Sequence, residues 1–383
     1  MANGTRVYAG TYDGLQVLRV GGGECELAAE AFSGALVQAL AGCREQPERV
    51  FVGLKDGLHR TDDAGLRWRK VLDGDVRSVN VDPTDHRVVY AGTDPVHLYR
   101  SEDGGERWEE LTSLQRLPAE THERLGEAAP VDMATSHQAE FRHRRQDWWF
   151  PVPPNQGHIL QTFVHPDDPN LLLLAIEHGG VARSTDRGKT WEDVSAGIDY
   201  LDIHIIASMP QRFDRYLLTS ARGLYSAVDP TNGWTRAQNG CERDYFHDMV
   251  VLPAADGGAP VVVVATAEGS PGFWPSIQAR GAWDHSQVGS RAALHRSADG
   301  GESWQRIGAG QGLPDEMTPM IWALCPDPRN PRGLFAGLGE SSGVPGPLPR
   351  GGGAVLASGD GGESWQTLRA NMSAVEHVHA TAE

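Results

Sequence analysis

At 383 residues and a formal net charge of −17, the chain has the wrong sign for gripping nucleic acid or an anionic membrane surface. Its longest apolar runs, 171–176 and 260–265, are strand-sized and far too short to span a bilayer. Four scattered cysteines without a CxxC pair (Cys25, Cys43, Cys241, Cys325) and a start lacking a signal-peptide pattern lead us to expect reduced, buried thiols in a cytoplasmic protein.

In chain order, residues 5–30 read as three short β-rich runs, 6–10, 15–19 and 26–29. Residues 35–72 and 76–111 follow, each with four such runs separated by turn residues. In the second set the runs are 76–83, 87–92, 96–101 and 107–111. The same register fits 158–194, 201–237, 245–307 and 317–369. Each set is one four-stranded blade, so the pattern predicts an all-β, seven-bladed propeller of antiparallel blades. The first blade lacks an inner strand, which the C-terminal run 374–382 would supply, closing the ring and removing open edges. Propeller blades stack on one another, so one domain of this length is expected.

One stretch marks the blades. Ser101-Glu-Asp-Gly-Gly-Glu-Arg-Trp108 reads S-x-D-x-G-x-x-W, and the pattern returns at Thr61–Trp68, Ser184–Trp191, Ser297–Trp304 and Ser358–Trp365. A weaker echo joins Ser226 and Asp229 to Trp234, and another runs from Arg19 to Leu27 without a Trp. The spacing predicts a tight turn whose Asp accepts backbone N–H bonds, with Gly at positive φ and Trp packed beneath it. A catalytic group is needed once, so an Asp repeated in unit after unit reads as structural.

Three segments break the rhythm: 113–157 between two blades, and 267–293 and 339–353 inside second-to-third strand connections. All three leave the same end of the blades, opposite the repeated turns. Long loops in a compact domain are usually functional, so the site is expected at that mouth of the central channel. Aligning the inner strands on the Pro that ends most of them puts Arg77, Leu160, His204, His247 and Met320 in one row, with His377 and Gln38 in the remaining blades. Two residues earlier stand Asp75, His158, Asp202, Tyr245 and Thr318.

Converging neutral imidazoles are a transition-metal geometry. His204, His247 and His377 are the expected ligands of a divalent transition metal (Zn, Mn, Fe or Cu). Glu177, His178, His158 and Arg77 are the expected catalytic groups. Trp148, Trp149 and Trp274 in the insertions, with Arg222 and Tyr245, are expected to bind substrate by stacking and charge. A small, anionic or ring-containing substrate follows, turned over by hydrolase or lyase chemistry, with oxidative chemistry the other option. The competing expectation is a non-enzymatic binding propeller that uses the same face for a protein partner.

The repeated motif resembles the Asp-box, or BNR repeat, of sialidase-like and sortilin-like β-propellers, across nearly the whole chain. That resemblance implies the propeller fold. It does not imply sialidase activity, because the Arg-Ile-Pro start motif of sialidases is absent and the inner row offers a single Arg. The chain is also similar in style to the photosystem II assembly factors, box-bearing seven-bladed propellers that bind proteins, but their arginine patch is not evident.

Overall fold

The computed structural model describes residues 4–116, 158–177, 179–209, 215–254, 258–268, 290–315, 317–340 and 352–383. They form seven four-stranded antiparallel sheets, with no helix long and apolar enough to cross a membrane. The first sheet runs β28 (Val375–Ala382), β1 (Thr5–Thr11), β2 (Gly14–Gly21), β3 (Glu24–Ala31). The next holds β4 (Ala39–Gly42), β5 (Val50–Leu54), β6 (Gly57–Thr61) and β7 (Arg69–Asp73). It is followed by β8 (Asp75–Val81), β9 (Val89–Asp94), β10 (Leu98–Ser101) and β11 (Glu109–Glu110). The fourth contains β12 (His158–His165), β13 (Asp168–Glu177), β14 (Gly180–Ser184) and β15 (Glu192–Asp193). The fifth contains β16 (Ile203–Ser208), β17 (Tyr216–Ser220), β18 (Gly223–Ala227) and β19 (Thr235–Arg236). The last two are β20 (Tyr245–Leu252) to β23 (Gln305–Ile307), through β21 (Val261–Ala267) and β22 (Ala293–Ser297), and β24 (Met320–Pro326) to β27 (Gln366–Met372), through β25 (Leu334–Gly339) and β26 (Gly353–Ser358).

The ring closes as the repeats predict: β28 from the C-terminus pairs antiparallel with β1, from Thr5↔Ala382 to Gly10↔His377. Glu383 ties the seam further, receiving Arg6 at 2.7 Å and Arg19 at 2.9 Å. Second strands are covered by blades on both sides, so Val50, Phe51 and Val52 of β5 are fully buried. Outer strands β11, β15 and β19 are two residues long, which leaves little edge to template another chain.

The repeated turns have one geometry. In Ser101–Trp108 the Asp103 carboxylate accepts the Glu106 and Arg107 amides at 3.0 and 2.9 Å, and the Ser101 hydroxyl accepts the Gly105 amide at 2.8 Å. Gly105 has φ +87°, and a Cβ there would lie 2.7 Å from Phe51 of the neighbouring blade. Trp191 and Trp304 reach into the preceding blade, donating to the Ser113 hydroxyl and the Ala237 carbonyl. The turns therefore glue blades together. The echo at Asp229 is a variant in which the carboxylate caps a 3-10 turn, Pro230–Asn232, and Trp234 is still buried.

Every inner strand except β4 carries a β-bulge near its first residues. The pairs run Val76↔Thr93 then Ser78↔Gly92, Ile159↔Ile176 then Gln161↔Ala175, Ile203↔Ser220 then Ile206↔Leu218, Phe246↔Thr266 then Met249↔Val264, and Ile321↔Leu338 then Ala323↔Gly337. In β28 the shift falls between His377↔Gly10 and Val375↔Thr11. The residue before each bulge (Val76, Ile159, Ile203, Phe246, Ile321, Val375) is completely buried. A bulge bends the strand and re-aims the next side chain.

Candidate active site at the channel mouth

The bulges place Arg77, Leu160, His204, His247, Trp322 and Glu376 in equivalent positions. The expected row held Met320 and His377 instead. The difference arises because alignment on the terminal Pro assumes strands of equal length. Pro326 follows Trp322 by four positions where Pro83 follows Arg77 by six, and β28 has no Pro. Thr318 precedes β24 altogether, and Met320 opens it in the place held by Tyr245 in β20.

His204 is 5 % exposed, and both its ring nitrogens face acceptors. Nδ1–H donates to the Phe246 carbonyl at 2.7 Å, and Nε2 lies 3.4 Å from Asp202 Oδ1. Burial works against its positive charge, but the Asp202 hydrogen bond and charge, with Glu177 behind them, prevail and raise its pKa. His247 meets His204 at 5.0 Å between centroids, stacks parallel to Tyr245 at 6.0 Å and abuts Trp322 edge-on at 4.9 Å. Its Nδ1 is 3.3 Å from the Tyr245 hydroxyl. Burial and the neighbouring charges of His204 and His377 push its pKa well below the usual 6.5. His377 is likewise lowered by burial, to about 4.

His158 Nε2 sits 2.6 Å from Glu177 Oε2, across the first pair of β12 and β13. Burial opposes its protonation, and the Glu177 carboxylate overcomes this, so its pKa is raised. Burial, followed by the charges of Asp202, Glu177 and Glu376, holds the Tyr245 phenol far above its ordinary range.

Arg77 is at the mouth, but its charge is spent locally. Its Nε lies 2.9 Å from Asp75 and its Nη2 3.2 Å from Asp94, while Gln38 donates to Asp75 at 2.7 Å. Arg222, in the turn between β17 and β18, lies over the Tyr200 ring at 5.2 Å. His178, Trp148, Trp149 and Trp274, with nearly all of the three insertions, lie outside the described residues. His97 pairs with Glu110 and His59 with Asp56.

Sequence reasoning missed Trp322, Asp94 and the position of Glu376. Trp322 was legible only as an inner-strand aromatic, since its register depends on the bulge. Among the described residues, no three His, Cys, Asp or Glu side chains at the mouth bring ligand atoms within 4.8 Å of one another. His204 and His247 touch, but they form no closed cage with His377.

No family profile and no curated protein matches this chain. Solved structures do. The GH74 xyloglucanase from Xanthomonas campestris is 16% identical over 88% of this chain and 45% of its own, with a TM-score of 0.56. The Niastella koreensis GH74 enzyme is 15% identical over 94% of this chain and 46% of its own, at 0.57. YCF48 bound to D1 peptide covers 87% of this chain and 82% of its own at 16% identity, with a TM-score of 0.47. The chain spans less than half the length of the GH74 enzymes it matches, and at these identities the likeness is one of propeller fold.

Proposed function

We propose that this protein is an enzyme that transfers protons to and from a small, ring-containing substrate at the channel mouth, in hydrolase or lyase chemistry supported by a divalent transition metal. The observation that carries it is the His204–His247 pair, two touching imidazoles held in different hydrogen-bonding states. His204 is clamped between two acceptors, the arrangement of an imidazolium and so of a general acid. His247, bonded by the Tyr245 hydroxyl, is the neutral partner suited to act as base or metal ligand. Groups whose surroundings drive their pKa values apart are the usual mark of acid–base assignment. His158, whose pKa is raised, and Glu177 stand beside them as a second imidazole–carboxylate pair.

The neutral imidazoles of His247 and His377 are the side chains suited to Zn, Mn, Fe or Cu, with Glu177, Asp202 or Glu376 as the carboxylate donor. His204 belongs beside the metal as an acid rather than on it, since its two nitrogens are engaged. Asp75, Asp94, Glu177, Asp202 and Glu376 outnumber the cations, and Arg77 is matched by two of them. That balance favours a neutral or cationic substrate over an anionic one, with Tyr245 and Trp322 as ring-stacking surfaces. The occurrence of the fold in a xyloglucanase makes oligosaccharides the first compounds to try.

Elemental analysis of the purified protein, with and without the paired change His247→Ala/His377→Ala, tests the metal. The expected difference is one transition-metal equivalent per chain. The metal reading is lost if the two preparations hold the same amount. Turnover of a panel of chromogenic glycosides and esters tests the chemistry, and His204→Ala should lower it at least a hundredfold, in the range typical of a general acid (about 10²–10⁴). Absence of any turnover, with a co-purifying protein, would favour the binding propeller.

A further inference from the structure

A second constellation lies at the other end of the channel strands. Cys43 follows β4, Glu45 stands in the turn that leads to β5, and His86 sits in the corresponding turn of the next blade, between β8 and β9. One ligand atom from each of the three lies within 4.8 Å of the others. Cys43 is 3 % exposed, and its thiol donates to Glu45 Oε2 at 3.2 Å. Gln46 Nε2 is 3.4 Å from His86 Nε2, so the two turns already touch.

Comparable turns in other blades use a carboxylate where this one uses a thiol. Asp82 Oδ1 accepts the Thr84 amide at 2.8 Å and its hydroxyl at 2.7 Å, and Asp327 Oδ1 accepts the Arg329 amide at 3.0 Å. Cys43 stands at the same place, two residues before Glu45. A thiol is a weak hydrogen-bonding group and a poorer cap than a carboxylate. It is a far better ligand for a borderline-soft cation. Thiolate, imidazole and carboxylate together make a zinc-type donor set, and the exposed Glu45 side leaves room for water as the fourth ligand.

We propose that Cys43, Glu45 and His86 bind one divalent ion of the zinc class and staple the second blade to the third, on the face away from the channel mouth. Binding displaces the thiol proton to solvent, one proton per ion. Because the thiol must lose its proton to bind, affinity should rise with pH.

Chelator-stripped protein titrated with Co²⁺ tests this, read by the near-ultraviolet thiolate-to-cobalt charge-transfer band. None of the proposed channel ligands is a cysteine, so the band does not report the proposed channel metal. The expected result is a band that saturates at one Co²⁺ per chain, disappears on Zn²⁺ addition, and survives His247→Ala/His377→Ala. Cys43→Ser should abolish it in a protein whose circular dichroism is unchanged, and the surface change His86→Ala should weaken Co²⁺ binding about tenfold or more. Absence of the band, its persistence in Cys43→Ser (which would assign it to Cys25, Cys241 or Cys325), or unaltered affinity in His86→Ala would each overturn the proposal.

Discussion

The imidazoles of His204 and His247, on adjacent inner strands, meet at an interplanar angle of 63° with centroids 5.0 Å apart. Asp202 and the Phe246 carbonyl raise the pKa of His204 against the cost of burial, while burial and the charge of His204 itself lower that of His247. His204 therefore helps set the state of His247.

This relationship predicts that the two rings titrate on opposite sides of 6.5. Histidine side-chain NMR across pH 4 to 9 should show His204 protonating above that value and His247 below it. Asp202→Asn removes the carboxylate and should lower the His204 pKa by about one unit or more, since opposite charges at this range move a pKa by roughly 1–3 units. Titration of both rings together near 6.5 would remove the acid–base assignment.

Stability should rise as pH increases from 4 to 6.5. Burial lowers His295, His377 and His379 to about 4. Between 4 and 6.5 the unfolded chain binds protons that these folded histidines refuse, and stability is lost as pH falls through that window. His295, 4 % exposed, contributes about 3 kcal/mol at roughly 1.36 kcal/mol per pKa unit. Asp248 works in the opposite sense. Burial raises its carboxyl to about 6, against backbone amides of Leu324 and Met249 that stabilise the anion. Its contribution is present below about 3.8 and falls away as pH rises to 6. These three histidines, joined by the lowered His247, outweigh one aspartate. Urea unfolding midpoints should therefore climb with pH, the climb flattening in His295→Gln and steepening in Asp248→Asn. A falling midpoint, or the same slope in both variants, contradicts the account.

The repeated turns should matter for stability and not for the site. Asp299 accepts the Glu302 and Ser303 amides, each at 3.0 Å, and its carboxyl is held down at about 2. Asp299→Ala should cost about 1.5–3 kcal/mol, the range for hydrogen bonds to a charged group, measured by thermal or urea unfolding. The NMR titration of His204 and His247 should be unchanged. A shift in that titration would mean that the two faces are coupled.

Much of the fold was legible in the chain. Short alternating runs, five S/T-x-D-x-G-x-x-W turns and a C-terminal run with no partner of its own gave seven blades and the β28–β1 closure, because each blade repeats the same local chemistry. It was legible too that the insertions and the repeated turns fall at opposite strand ends. The row of side chains at the mouth was legible only in part. Arg77, His204 and His247 stood out because their strands all run six residues on to a Pro. Trp322 and Glu376 did not, because a one-residue bulge and a shorter run to Pro326 leave no mark in composition or spacing.

The sequence by itself thus determined the repeat, the closure and the end of the ring where polar side chains gather. Tertiary structure alone decided in which direction the pKa values of the histidines among them are pushed. His204 and His247 are the same residue type at the same bulge, but Asp202 lies against one ring and Tyr245 and Trp322 against the other. The same holds for Arg77, whose charge is cancelled by Asp75 from its own strand and Asp94 from the next. Protonation depends on desolvation and on charges a few ångströms away in space, and those neighbours come from different strands and blades that only the closed ring brings together.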